Sequence, residues 1–237
     1  AESLSQAITK RTKLLILNSP SNPTGAVYSA KELAALADVV EAAGILVVSD
    51  DVYEKFVYDR RSFVNLPMVA RHLTGSAIII NSASKTYSMP GWRIGFALGP
   101  EPIISAATRI QGQATSCAGS ISQKALAFAL QTDGQMIEDF RRSFERRRDL
   151  MFAGLAEMED VKVFKPEGAF YLFADVSRLY PRCDGVQGSV DFCDFLLDKQ
   201  RIACIPGAAF GEDNCIRLSF VAGADSINQG ISRLSQI

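Results

Sequence analysis

The sequence predicts an α/β fold in which a partial, mostly parallel sheet with helices is followed by a smaller α+β domain. Three observations carry this expectation. Short, nearly uninterrupted apolar runs at 13–17, 45–50 and 77–80 read as buried strands. A helical pattern separates the first two, as a parallel connection requires. Beyond a long helical stretch, strand and helix patterns alternate again to the end of the chain.

The run at 13–17 (KLLIL) passes into Asn18-Ser19-Pro20-Ser21-Asn22-Pro23-Thr24-Gly25, a strand entering a Pro/Gly loop. Ser29 is placed to cap a helix over 30–43, with Glu32 in its first turn and Gly44 as its stop. The next strand closes at Asp50, the third ends at Asn81, and a fourth over 93–98 (RIGFAL) ends at Gly99-Pro100. Residues 101–157 read as mostly helical. Within them the charged run from Arg141 to Asp149 reads as a solvated helix face, with Phe140, Phe144 and Leu150 turned inward. Further strands are expected at 161–164, 169–173, 202–205 and 215–220, with helices at 189–199 and 225–234. The domain boundary is placed so that 1–135 belong to the α/β domain and 136–237 to the smaller one. Asn22, Asp50, Tyr53, Ser82, Ser84 and Lys85 all follow strand ends, where open parallel sheets place their ligands.

Composition narrows the chemistry. The chain has 237 residues, 48% hydrophobic and 22% charged, with a net charge of -1. It is long enough for a sizeable core and has no field to draw nucleic acid or an anionic membrane surface. No apolar run reaches the roughly 18 residues of a membrane span, and no signal-peptide pattern is read at its start. The five cysteines form no C-x-x-C pair and read as reduced thiols, small core or surface residues of a cytoplasmic protein. The single histidine, His72, sits beside Arg71 and reads as a surface residue. That removes most histidine-based metal sites and disfavours Ser-His-Asp or Cys-His catalysis. No metal site is expected. Neither G-x-x-x-x-G-K-[ST] nor a G-x-G-x-x-G after a strand is present, so nucleotide chemistry is poorly supported.

What remains is lysine, acid, phenol and arginine. Lys85 stands among small hydroxyl residues, Ser82 and Ser84, with Arg93 opening the following strand. Two hydroxyls and a guanidinium can bind a phosphate while an amine stays available to a carbonyl carbon. Taken alone, Lys85 would be a solvated loop lysine. The other strand ends alter that balance. Asp50 closes a buried strand, where a carboxylate is costly unless paired, and a protonated ring nitrogen would pair it. Tyr53 and Asn22 can each hydrogen-bond a phenolic oxygen. Asp51 reads as the solvent-facing member of the acid pair, and Trp92 as a packing residue.

Together these residues resemble the class I/II aminotransferases of pyridoxal-phosphate (PLP) fold type I. The motifs are Asn22-Pro23-Thr24-Gly25, Ser49-Asp50-Asp51-Val52-Tyr53, Ser82-x-Ser84-Lys85 with Arg93 after Pro90-Gly91-Trp92, and Arg217-Leu218-Ser219-Phe220. Gly168-Ala169-Phe170-Tyr171 and Pro206-Gly207-x-x-Phe210-Gly211 also match, best to the bacterial aspartate aminotransferase branch. The resemblance implies that 1–135 is the C-terminal part of a large PLP-binding domain and 136–237 a small domain. It implies catalytic roles for Lys85, Asp50 and Tyr53, with Lys85 joined to the cofactor and later carrying a proton. Asp50 would hold the ring nitrogen protonated, Asn22 and Tyr53 would bond the ring oxygen, and Ser82, Ser84 and Arg93 would hold the phosphate. Arg217 with Asn22 would bind substrate, Arg217 gripping the α-carboxylate, and closure of the second domain would complete the site.

The implied reaction moves an amino group from an amino acid, aspartate first, to a 2-oxo acid in a homodimer. The family's chains begin with a further section that supplies strands, a glycine-rich turn and a ring over the cofactor. This chain is therefore expected to be an N-terminally truncated fragment with impaired activity. Alternatives are a C–S lyase or cyclopropane-forming synthase on the same scaffold, a non-catalytic effector module of a transcription regulator, and an inert remnant.

Overall fold

The computed structural model describes residues 1–132 and 134–237. They form two compact units, Ala1–Pro20 with Val27–Glu138 and Ser21–Ala26 with Asp139–Ile237.

The first unit contains α1 (Glu2–Ala7), β1 (Leu14–Asn18), α2 (Ala30–Ala43), β2 (Leu46–Asp50), α3 (Leu66–Val69), β3 (Ala77–Ser82), α4 (Ala83–Thr86), β4 (Gly95–Leu98), α5 (Glu101–Ala114) and α6 (Ser120–Ala129). Its sheet runs β1-β2-β3-β4, parallel across the first two pairings and antiparallel at the last. The expected α/β class with a mostly parallel sheet is therefore what the chain adopts. α2 begins and ends where its sequence dictates. The Ser29 hydroxyl accepts from the Glu32 N–H while the Glu32 carboxylate accepts from the Ser29 N–H, and Gly44 closes the helix at φ 63°. Leu33, Leu36, Ala37 and Val40 then cover one sheet face, packing with Leu17, Ile45, Val47, Leu66 and Leu73. Each buried Leu or Val contributes about 1.5–3 kcal/mol, so this contact outweighs helix propensity in fixing α2.

The other face is open. Leu14 and Ile16 of β1 are 43% and 67% exposed and Ile80 of β3 is 40% exposed. Strands that read as buried are thus covered on one side only among the described residues. Strand alternation puts Asp50, in register with Ile80, and Ser82, two residues beyond Ile80, on this open side.

The second unit contains most of α7 (Gln135–Ala156), then β5 (Lys162–Val163), β6 (Tyr171–Asp175), α8 (Ser189–Gln200), β7 (Ile205–Pro206), β8 (Cys215–Ser219) and α9 (Ala224–Leu234). Its sheet, β5-β6-β8-β7, is antiparallel throughout. The segment Ser21–Ala26 is tied into this unit through Gly25, whose carbonyl accepts from the N–H groups of Glu167 and Gly168, each at 2.9 Å. Only glycine suits this position. Its φ is +69°, and an added Cβ would lie 2.4 Å from the Pro166 Cβ.

Not every expectation holds here, although residues 101–157 are mostly helical as read, in α5, α6 and α7, with Ser116 at φ 65° after α5 and Gly119 before α6. Asp133, within that segment, lies outside the described residues. The fourth strand starts at Gly95, because Arg93 takes a left-handed conformation at φ 50°. The charged run on α7 is not wholly solvated. Arg148 is fully buried, its Nη1 donating to the Pro166 carbonyl at 3.0 Å and its Nη2 lying 2.8 Å from Asp149. Phe140, Phe144 and Leu150 are only half-buried, and Met151 and Leu155 are the buried apolar residues of the helix. Trp92 is 44% exposed and so is not a core packing residue. His72 is at the surface as expected, 3.3 Å from Glu41.

Candidate active site

In the first unit the chemistry-bearing residues gather where β2 and β3 end. Asp50 is the last residue of β2 and is half-buried; one carboxylate oxygen accepts the Val52 N–H at 3.3 Å. The acid that is truly buried is Asp51, 2% exposed, which reverses the expected order of the pair. The Ser49 hydroxyl donates to one of its oxygens at 2.6 Å and the Asn65 amide to the other at 2.6 Å. Burial raises the Asp51 pKa to about 6, against the lowering effect of those two donors. Asp51 is thus committed to structure, while Asp50 is the carboxylate on the open sheet face.

β3 passes directly into α4, a single turn that the sequence pattern did not show. Ser82 caps it: its hydroxyl accepts the Ser84 N–H at 3.3 Å. Ala83 and Thr86 are buried, Ala83 in a cluster with Ile94 and Leu126, which fixes the turn against the unit's interior. Ser84 and Lys85 remain half-buried. The Lys85 Nζ lies 5.9 Å from the centroid of the Tyr53 ring, and Tyr53 is 4% exposed. Arg93 is exposed and its Nη1 donates to the Pro90 carbonyl at 2.9 Å. The structure therefore joins Lys85 with Tyr53 and sets Ser82 on the sheet face that carries Asp50. It places Arg93 further along the same segment, outside the strand expected for it.

The second unit holds the other two expected residues together. Arg217, at the centre of β8, donates through Nη1 to Asn22 Oδ1 at 2.8 Å. Its guanidinium carbon lies 4.4 Å from the Tyr171 ring centroid and 5.2 Å from that of Phe210. Two aromatic faces and an amide oxygen orient the fork, a geometry that favours planar recognition of a carboxylate. Tyr171 and Phe210 were seen in the sequence only as motif members. The strand pairing accounts for part of this arrangement: β8 lies between β6, which begins at Tyr171, and β7. A cavity of about 310 Å³ also lies in this unit, lined by residues of α7, α9 and β8, but none of the expected site residues lines it.

Residues 1–231 match the family described as aminotransferase class I and II. The chain belongs to this family. It is 38% identical to the aspartate aminotransferase of Bacillus subtilis (strain 168) over 235 residues, covering 99% of this chain and 60% of that protein. It is 41% identical to a bifunctional aspartate aminotransferase and glutamate/aspartate-prephenate aminotransferase of Petunia hybrida, covering 98% of this chain and 50% of the other. The crystal structure of the aspartate aminotransferase from Rhizobium meliloti superposes with a TM-score of 0.93 at 38% identity, covering 99% of this chain and 60% of that one. The chain thus spans about 60% of the length of these bacterial relatives. No helix among the described residues is long and apolar enough to cross a membrane.

Proposed function

We propose that the chain is the lysine-bearing part of a PLP-dependent aminotransferase that moves an amino group from an amino acid, aspartate first, to a 2-oxo acid. The observation that carries the reading is the Lys85 amine held 5.9 Å from the buried Tyr53 ring, at the end of the strand neighbouring the one that Asp50 closes. The donor set suits the cofactor. An amine can be joined to its aldehyde, a half-buried acid can pair with its ring nitrogen, and a phenol can bond its ring oxygen. The hydroxyls of Ser82 and Ser84 and the Arg93 fork can take its phosphate. When bound, that cofactor supplies an electron sink for the carbon that loses its proton.

The protein's own residues do the rest. Asp50 would pair with the protonated ring nitrogen from the open sheet face. The Lys85 amine would hold the aldehyde carbon and serve as the base that takes the proton from the substrate α-carbon. Tyr53 would bond the ring oxygen through its hydroxyl. Asn22 and Arg217 bind substrate, Arg217 holding the α-carboxylate through two parallel N–H donors. The relatives' names, aspartate aminotransferase foremost, support the choice of a dicarboxylic donor. The reading extends to a cytoplasmic homodimer that acts on small molecules and not on nucleic acid or membrane. Its five free cysteines are compatible with that compartment.

The test is chemical trapping. The purified chain is incubated with PLP, reduced with borohydride and digested, and the modified peptide is identified by mass spectrometry. The label is expected on Lys85 and is expected to disappear in Lys85→Ala. Labelling spread over several surface lysines, unchanged in Lys85→Ala, would remove the proposal.

A further inference from the structure

Outside the residues assigned above, one pair of reactive groups is already in contact. Cys193 lies on the buried face of α8 beside Phe192 and Leu196, and is 8% exposed. Cys204 stands just before β7 and is half-buried. The Cys204 thiol donates to the Cys193 sulfur at 3.3 Å, across a separation of 11 residues. The intervening turn is itself fixed, with Arg201 left-handed at φ 54° and the Ile202 N–H bonded to the Leu196 carbonyl at 2.9 Å. The folded chain therefore already holds the two sulfurs in contact.

We propose that Cys193 and Cys204 form a reversible disulfide under peroxide, a modification that staples α8 to the entry of β7. The donated hydrogen bond lowers the Cys193 pKa and raises that of Cys204, which favours Cys193 as the attacking sulfur and Cys204 as its partner. The Cys193 thiolate attacks one peroxide oxygen, the O–O bond breaks, and the departing hydroxide takes a proton to become water. The sulfenic acid left on Cys193 is then attacked by the Cys204 sulfur. The S–S bond forms, the S–O bond breaks, and a second water leaves with the Cys204 proton. Two thiols and one peroxide thus become one disulfide and two waters, and an added dithiol reverses the oxidation. The staple has a structural reach beyond its own turn. Ile205, next to Cys204, is in register with Arg217 on β8, so the link stiffens the edge of the strand that carries the guanidinium.

The test uses the whole chain in a Cys117→Ser background, because Cys117 is exposed and can cross-link molecules. After stoichiometric hydrogen peroxide, the protein is alkylated, digested and analysed for linked peptides. Thermal unfolding is followed before and after dithiothreitol. A 193–204 linked peptide is expected, with a melting temperature at least about 3 °C higher in the oxidised form. Both effects are expected to vanish in Cys193→Ser and, separately, in Cys204→Ser, which guards against one variant failing to fold. Recovery of both cysteines as alkylated thiols overturns the proposal, as does their conversion to sulfinic acid without a linked peptide.

Discussion

The Arg217 guanidinium is bonded to the Asn22 side-chain oxygen at 2.8 Å, although the two residues are 195 positions apart. The loop of Ser21–Ala26 is thus a working part of the second unit, and Gly25 is what lets it dock there.

This pairing yields a test of recognition. A lysine at 217 keeps the charge but loses the fork that lies over Tyr171 and Phe210. Arg217→Lys is expected to weaken binding of an amino-acid substrate to the cofactor-loaded chain by about 10- to 100-fold. Its thermal midpoint is expected to stay within about 2 °C of the parent. Spectral titration and a melting curve measure the two quantities, and an unchanged affinity would count against a carboxylate role.

Asp51 gives the fold a pH signature. Its folded pKa of about 6 stands above the ordinary 3.8, so the folded chain holds this proton more tightly than the unfolded chain. The stabilisation from the neutral acid is complete below about pH 3.8 and is lost as pH rises through about 6. Relative to Asp51→Asn, the parent is expected to lose about 2 kcal/mol between pH 4 and pH 6.5, by urea unfolding at each pH. A parent–variant difference that stays level across that window contradicts the assignment.

Arg148 tests the interior of the second unit. Its removal strips the Pro166 carbonyl of a donor, leaves a large void, and frees Asp149 and Glu145 of a cation. Arg148→Ala is expected to cost about 3–5 kcal/mol, seen as a lower denaturant midpoint with little change in slope. Arg146→Ala, at an exposed position on the same helix, is expected to change stability by no more than about 0.5 kcal/mol.

Much of this architecture is legible in the amino-acid sequence. α2 was readable to both ends because Ser29, Glu32 and Gly44 each act within one helical turn. The strand ends at Asp50 and Ser82 were readable because the strands leading to them are apolar along nearly their whole length. That same uniformity hid which residues face which way. In Leu46-Val47-Val48-Ser49-Asp50, neither alternate set is polar until the end, so nothing in the sequence says that Val47, Ser49 and Asp51 share the helix-covered side. The inversion of the acid pair follows from that ambiguity. Arg148 was hidden differently: it looks like its neighbours, and its distinguishing partner, Pro166, is 18 residues away in a segment without helical periodicity.

The uncovered side of the first sheet carries a practical cost in solution. Leu14 and Ile16 on β1 and Ile80 on β3 keep hydrocarbon in contact with water. Sulfate and similar excluded salts strengthen apolar association, so they should precipitate this chain at lower concentrations than a protein of equal size with a polar exterior. Crystallisation and purification would then be governed by those few aliphatic side chains more than by the near-neutral net charge.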